Sequence, residues 1–414
     1  MAARLELLTE WLTAAAAAGR RLPPELVPAL LDAGRRHRGL RPLIPQVAGP
    51  LAGWLAIQRA EWSYASSTSQ VASTVDDEAV WELGTIRQRA AYLSRLRRRD
   101  PARARGLLDT AWDAEPTDDR AVLLDALATG LSTDDEALLE RALDDRRKQV
   151  RDVALELLAR LPDSSYARRM CDRARACIQM HGTHAIRVSP PLACDRSMRR
   201  DGIAPRPPKG TGERAWWLEE ILARTPLQTW PQPRAFLARQ VGEVWIKTVR
   251  HGLARAAAAQ RDGAWAAALV DPLSEDMTGD WQPADRLLLE PLYDALPAED
   301  LAVRAAAALR HGLAGAAAVG VEHVLGLCPG PWPPAVAEAV FGALEEQFSR
   351  RTGGWRAAGL CELAALRLAA DLAPRAVALA SRVRAASPND PGMATLDRLT
   401  ATLRFRQDML KELA

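Results

Sequence analysis

Five side chains near the middle of this 414-residue sequence are of the types that build zinc sites: Cys171, Cys177, His181, His184 and Cys194. Zinc needs four thiolate, imidazole or carboxylate ligands converging in a tetrahedron, usually delivered as two closely spaced pairs. His181 and His184 supply one pair, but Cys171 and Cys177 stand six apart and no Cys-x-x-Cys occurs. The expectation is a polar hairpin tip with small buried cysteines beside it, and neither metal nor other cofactor.

Other candidate chemistry is weaker. The run Pro208-Lys209-Gly210-Thr211-Gly212-Glu213-Arg214 looks like a phosphate loop only at first sight. A true one follows a buried strand and places Gly-Lys-Ser/Thr at a helix N-terminus, where backbone N–H groups face the phosphate. Here the lysine precedes the glycines, so the run reads as a flexible approach to a helix starting at 213. No Gly-x-Ser-x-Gly or His-Glu-x-x-His occurs, so no catalytic residue is assigned. The pairs Asp118-Asp119, Asp134-Asp135 and Asp144-Asp145 fall at helix starts or turns, where carboxylates favour the positive end of the helix dipole.

The arginines raise a second class of function. Residues 84–106 hold Arg87, Arg89, Arg95, Arg97, Arg98, Arg99, Arg103 and Arg105 against Asp100 alone, and 196–214 hold six basic residues against two acidic. Helical projection spreads the first set around its helix, whereas phosphate binding needs clustered cations. With 55 basic and 52 acidic residues the net charge is only +3, which gives no field to draw in nucleic acid. Nucleic-acid binding is kept as an alternative and not as the expectation.

These residues must be positioned by helices. Ala, Leu, Arg and Glu dominate, Phe and Tyr number four each, and β-branched runs are scarce, which disfavours a large sheet. Gly19 closes a first helix over roughly 3–18, Pro23-Pro24 open a second ending near Gly34, and a third spans about 45–62. Ser63 to Thr74 reads as a linker. From Val80, the stripe Leu83, Ile86, Ala90, Leu93 and Leu96 predicts one amphipathic helix. Asp100-Pro101 starts the next, and Thr117 or Asp118 caps the one closed by Gly130. Ser132 with Asp135, and Thr133 with Glu136, are overlapping capping boxes for a helix over 134–143. From Cys177 to Gly212 the helical period fails. Ile178, Met180, Ile186 and Val188 alternate around 181–184 and predict a small β-hairpin. Helices resume at 213, with breaks at 231–233, Asp271-Pro272, Pro297 and 329–334, and final helices over 355–386 and 392–413. Arg-His-Gly-Leu-Ala recurs at 250–254 and 310–314, a hint of a sixty-residue duplication.

The segment from Asp144 through Val150-Arg151, Ala154, Leu157, Leu158 and Leu161 resembles the second helix of a HEAT repeat. That resemblance implies a ladder between a turn aspartate, Asp144 or Asp145, and an arginine one repeat on, with Arg151 at the matching position. Helices this short bury their stripes only by stacking as hairpins. The order of features from Trp81 to Trp216-Trp217 resembles an uncharacterised bacterial family of unknown function, whose members look like companions of MoxR-type AAA ATPases and von Willebrand A-domain proteins.

The resulting expectation is an all-α protein, an elongated α-solenoid of HEAT-like antiparallel helical hairpins with a small β-containing insertion. Its parts are an N-terminal helical segment (1–75), HEAT-like repeats (76–176), the insertion (177–212) and a C-terminal helical array (213–414). Thirteen tryptophans suit seams between alanine-rich helices. No signal peptide and no 18-residue apolar stretch are found, and five scattered cysteines make no disulfide framework, which points to the cytoplasm. The expected function is a non-catalytic scaffold or adaptor for a protein partner, an AAA ATPase or von Willebrand A-domain protein. Arg199, Arg200, Asp201, Trp216 and Trp217 are the expected binding residues, because irregular insertions often carry function. An enzyme with its site around 177–217 is the other alternative. Excising 190–210 is expected to abolish partner capture and leave thermal stability nearly unchanged.

Overall fold

The structure, a computed structural model, describes residues 2–65, 78–182, 184–276, 283–310, 317–349 and 357–413. The described chain is mostly helical, with one small three-stranded sheet. It forms two compact units, Met1–Asp76 with Ala298–Ala414, and Asp77–Pro297.

In the first unit, α1 (Ala2–Ala17), α2 (Val27–Arg36) and α3 (Ile44–Gln58) pack around Leu12, Leu31, Ile44 and Val47, none above 1 % exposed. Gly19 turns the chain at positive φ after α1, as expected. The third helix is kinked at Gly49 (φ 61°, ψ −153°), because the following Pro50 disfavours a helical residue before it. Residues 60–65 continue as a 3₁₀ turn, so the expected linker starts later than Ser63, and its remainder lies outside the described residues.

The second unit begins with α4 (Glu78–Leu83) and α5 (Ile86–Arg97), where the sequence predicts one helix. Gly84 and Thr85 break it. The Thr85 N–H donates to Gln88 Oε1 at 2.8 Å, a new N-terminus that outweighs the continuous apolar stripe. Next come α6 (Pro101–Ala111), α7 (Thr117–Asp125), α8 (Glu136–Ala142), α9 (Lys148–Ala159) and α10 (Ser165–Cys177). Asp100 caps α6 and Ser132 forms its capping box with Asp135, but α7 starts from Pro116 with no side-chain cap. After α10, β1 (Ile178–His181) and β2 (Ala185–Val188) pair antiparallel with Ile178 opposite Val188. The short α11 (Arg196–Arg200), α12 (Glu213–Arg224) and α13 (Pro233–Leu237) follow. Then β3 (Gln240–Val241) adds to β2 in parallel, a strand too short for any sequence signature. The unit ends with α14 (Glu243–Gln260), α15 (Gly263–Asp276) and α16 (Pro283–Ala295). The expected break at Asp271-Pro272 is absent. Buried Trp265, Leu269 and Leu273 hold α15 together across it, so packing outweighs the lost hydrogen bond.

Alternate helices pack on one another, α5 on α7 on α9, and α10 on α12 on α14 on α16. Arginine–carboxylate contacts link successive hairpins in the first series. Arg89 Nη1 donates to Glu115 at 2.9 Å, and Arg120 Nη1 to Asp145 at 2.8 Å. The turn aspartate thus takes an arginine from the preceding hairpin, while Arg151 closes its own turn by donating to the Asp145 and Arg146 carbonyls. Between these rungs lies a buried ion pair. Arg97 and Asp135 side chains are both 0 % exposed, and Arg97 also donates to the Leu127, Thr129 and Gly130 carbonyls.

In the first unit, α17 (Ala298–Arg310) packs on α19 (Pro334–Ser349), α18 (Ala317–Leu327) on α20 (Ala358–Arg367), and α20 and α21 (Ala373–Ala386) on α22 (Met393–Leu413). The expected long helix over 355–386 is therefore two, and the second copy of Arg-His-Gly-Leu-Ala ends outside the described residues.

Replacing Asp135 with alanine leaves the Arg97 guanidinium out of water without its counter-charge. A loss of about 3–5 kcal/mol in urea unfolding is expected; an unchanged midpoint would show that water already reaches the pair.

Candidate functional site

The site grows from two arginines on one helix face. Ser164 caps α10 by accepting the Ala167 N–H at 3.1 Å, and Arg169 and Arg173, four apart, project the same way. Both reach Asp201, which is 1 % exposed. Arg169 donates through Nε at 3.0 Å and Nη2 at 2.7 Å, and Arg173 through Nη1 at 2.7 Å. Asp201 stands there because α11, capped by Asp195, ends in a turn at Gly202 (φ +85°). A side chain at Gly202 would also strike Leu155 of α9, so glycine is required on two counts.

Arg200, 3.9 Å from Asp201 through Nη1, makes its shorter contacts with the preceding hairpin. It donates to both oxygens of Asp144 at 2.8 and 2.9 Å and to Glu140 Oε2 at 2.9 Å, while Arg169 takes Glu140 Oε1 at 2.9 Å. Hydrogen bonds from Arg200 hold the Asp144 carboxyl below its usual value. Arg169, Arg173 and Arg200 thus balance Glu140, Asp144 and Asp201, and the insertion is fastened to α8, the turn after it and α10 by a neutral network.

The other expected binding residues lie around the same loop. Arg199 is exposed and donates to the Asp195 carbonyl at 3.3 Å. Trp216 Nε1 donates to the Ala204 carbonyl at 3.1 Å, and the buried Trp217 to that of Pro205 at 3.2 Å. Met198, Asp201 and Ile203 of the insertion are buried, so excising 190–210 removes interior and is expected to lower thermal stability. The expectation of a thermally silent deletion does not survive that burial.

Beside this network opens a cleft of about 510 Å³. One wall is the stripe Asp152, Leu155, Glu156, Ala159 and Arg160 on α9; the other is Ala223 and Arg224 of α12 with Arg255, Ala259 and Gln260 of α14. Tyr166 of α10 completes the lining and donates to the Asp201 carbonyl at 3.4 Å, and burial pushes its hydroxyl above the usual value. Arg255 lies over the Trp216 ring at 5.7 Å. The cleft is therefore tied to two of the expected residues, Asp201 and Trp216.

The two walls differ in charge. Arg224 and Arg255 both pair with Glu220, which is 3 % exposed, at 2.8 and 2.7 Å, and Arg255 also takes Glu219. Across the cleft, Asp152 and Glu156 are exposed and make no ion pair with any described residue. The sequence pointed to the insertion and missed this wall, since an acidic stripe on an amphipathic helix reads as a solvated face. Arg169 and Arg173 had a visible i,i+4 spacing, but their partner lies some thirty residues on.

The five zinc candidates do not gather. Cys171 Sγ lies 3.0 Å from Thr229 Oγ1, Cys194 Sγ 3.7 Å from the Ile203 carbonyl, Cys177 is buried, and His181 and His184 are exposed at the hairpin tip. Among the described residues no three His, Cys, Asp or Glu side chains are grouped to hold a metal.

A family model described as a family of unknown function, DUF5691, matches residues 1–413. The chain belongs to DUF5691. No curated protein and no solved structure matches it. No helix among the described residues of this DUF5691 member is long and apolar enough to cross a membrane.

Burial pushes the Cys177 thiol up to about 11 and, with a smaller push from Glu362, the Cys361 thiol up to about 12. A raised thiol value means less thiolate at neutral pH, so a disulfide reagent at about pH 8 is expected to leave both unmodified until the chain unfolds. Mass mapping of the labelled native chain checks this; rapid labelling of either would show that its helix opens readily.

Proposed function

We propose that this DUF5691 protein is a non-catalytic interaction scaffold, an α-solenoid of HEAT-like hairpins acting in the cytoplasm as adaptor for a MoxR-type AAA ATPase or its von Willebrand A-domain companion. The observation that carries the reading is the cleft beside the fastened insertion. One wall holds Asp152 and Glu156, which make no ion pair among the described residues, with the exposed Arg160 at its end; the opposite wall holds arginines already neutralised. A partner segment with basic side chains facing α9 complements that arrangement without breaking any pair that holds the fold.

Alternate-helix packing and the rungs Arg89–Glu115 and Arg120–Asp145 support the solenoid, because successive hairpins between α5 and α9 are joined by the same kind of contact. The five cysteines are free, in keeping with a reducing compartment. The nucleic-acid alternative is weakened by the same pairs, since Arg89, Arg97 and Arg105 of the arginine-rich stretch are spent on carboxylates.

The test is capture of purified MoxR-type ATPase and von Willebrand A-domain protein from the same organism on the immobilised full chain. The Asp152→Lys/Glu156→Lys double variant, reversing two exposed charges, is expected to keep the native melting temperature and weaken capture at least about tenfold. Capture unaffected by the reversal would remove the cleft from the interaction. No capture of either protein by the wild-type chain would remove the proposed partner class.

A further inference from the structure

The first unit holds a second groove, of about 670 Å³, lined by α1, α18, α20 and α22. Its lining is largely aliphatic, from residues such as Leu7, Leu363 and Leu399, yet it carries three carboxylates, of which two, Glu322 of α18 and Glu362 of α20, stand without a counter-charge among the described residues. Neither has an ion-pair or hydrogen-bond partner among the described residues. Glu322 is partly buried, and burial together with the neighbouring Glu362 charge raises its carboxyl above the usual value. The glycine at 359 makes room for it, since a Cβ there would overlap the Glu322 carboxylate.

The nearby charges do not relieve this pair. Glu6, a third carboxylate on the lining, is taken by Arg367, with Nε to Oε2 at 3.3 Å. Arg398, a cation on the same lining, donates to the Ala394 carbonyl and to Thr395 Oγ1, both at 3.4 Å, and reaches neither Glu322 nor Glu362. Cys361, on the same lining, is 1 % exposed. The charge of the exposed Glu362 on the same lining disfavours the ionised state of Glu322, and an entering cation offsets that. The volume is in the range that takes a small ligand, and the aliphatic lining suits a hydrocarbon stem.

We infer that this groove is a binding site for an organic cation, a primary ammonium or guanidinium head on an aliphatic stem, with Glu322 and Glu362 gripping the head. The inference is independent of the adaptor reading, because the groove lies in the other unit and shares no residue with the cleft.

Calorimetric titration of the full chain with agmatine, and separately with a blocked peptide carrying one central lysine, tests it. Saturable one-site binding of agmatine is expected, weakened at least about tenfold in Glu322→Gln and in Glu362→Gln. Both variants should melt at or above the wild-type temperature, because each removes a like-charge contact; that separates lost binding from lost fold. Binding should also fall as the pH drops and Glu322 protonates. Binding of the peptide alone, with the same dependence on Glu322, would assign the head to a partner's side chain and still support the site. Absence of saturable binding by either probe, or binding indifferent to both substitutions, overturns the inference.

Discussion

A carboxylate as deeply placed as Asp201 keeps its charge only if guanidinium groups replace the water it has lost. Arg169 and Arg173 do so from one helix face, and that requirement orders much of the second unit. The helix α10 must present both arginines to the same side, the chain must reverse at Gly202, and Arg200, just before Asp201, takes its own partners from the preceding hairpin. It finds Asp144 and Glu140 there, so the charges at the end of α11 tie the insertion to the helices it interrupts. Asp201 is the member shared by both α10 arginines, so its removal takes the carboxylate from Arg173 and two of the bonds of Arg169.

The same attachment shapes the cleft. The series α5, α7, α9 and the series α10, α12, α14 meet beside the insertion, and one face of α9 lines the cleft between them. Charge is distributed unevenly around that gap. The arginines on one wall serve the buried Glu220, while Asp152 and Glu156 on the other pair with no described residue. Groups that a fold does not need are the ones available for recognition, and it is this asymmetry, rather than the irregular insertion alone, that locates the proposed interface.

Local features were legible in the sequence because their causes are local. The hairpin 178–188 showed in its two-residue alternation, and the Ser132 box and the Asp100 cap in side chains three residues from the N–H groups they accept. Gly19 and Gly130 marked helix ends through backbone freedom. Errors arose where two local signals competed. The apolar stripe across Gly84 hid a helix start at Thr85, and Pro272 suggested a break that packing of Trp265 and Leu269 overrides. The candidate site was legible only as a place where the period stops. Arg200 lies 56 residues from Asp144 and 60 from Glu140, and Arg169 lies 32 from Asp201. Nothing in a single chain of letters couples such positions, nor does two-residue β3 announce that it will join β2.

The claim that Asp201 holds the insertion against the helices is tested most directly by hydrogen–deuterium exchange on the full-length Asp201→Asn chain. The account predicts faster exchange in 196–205 together with α10 and the Tyr166 edge of the cleft, while α5 to α7 keep their protection. Exchange in 196–205 identical to that of the wild type would contradict it, since the segment would then be held by packing alone.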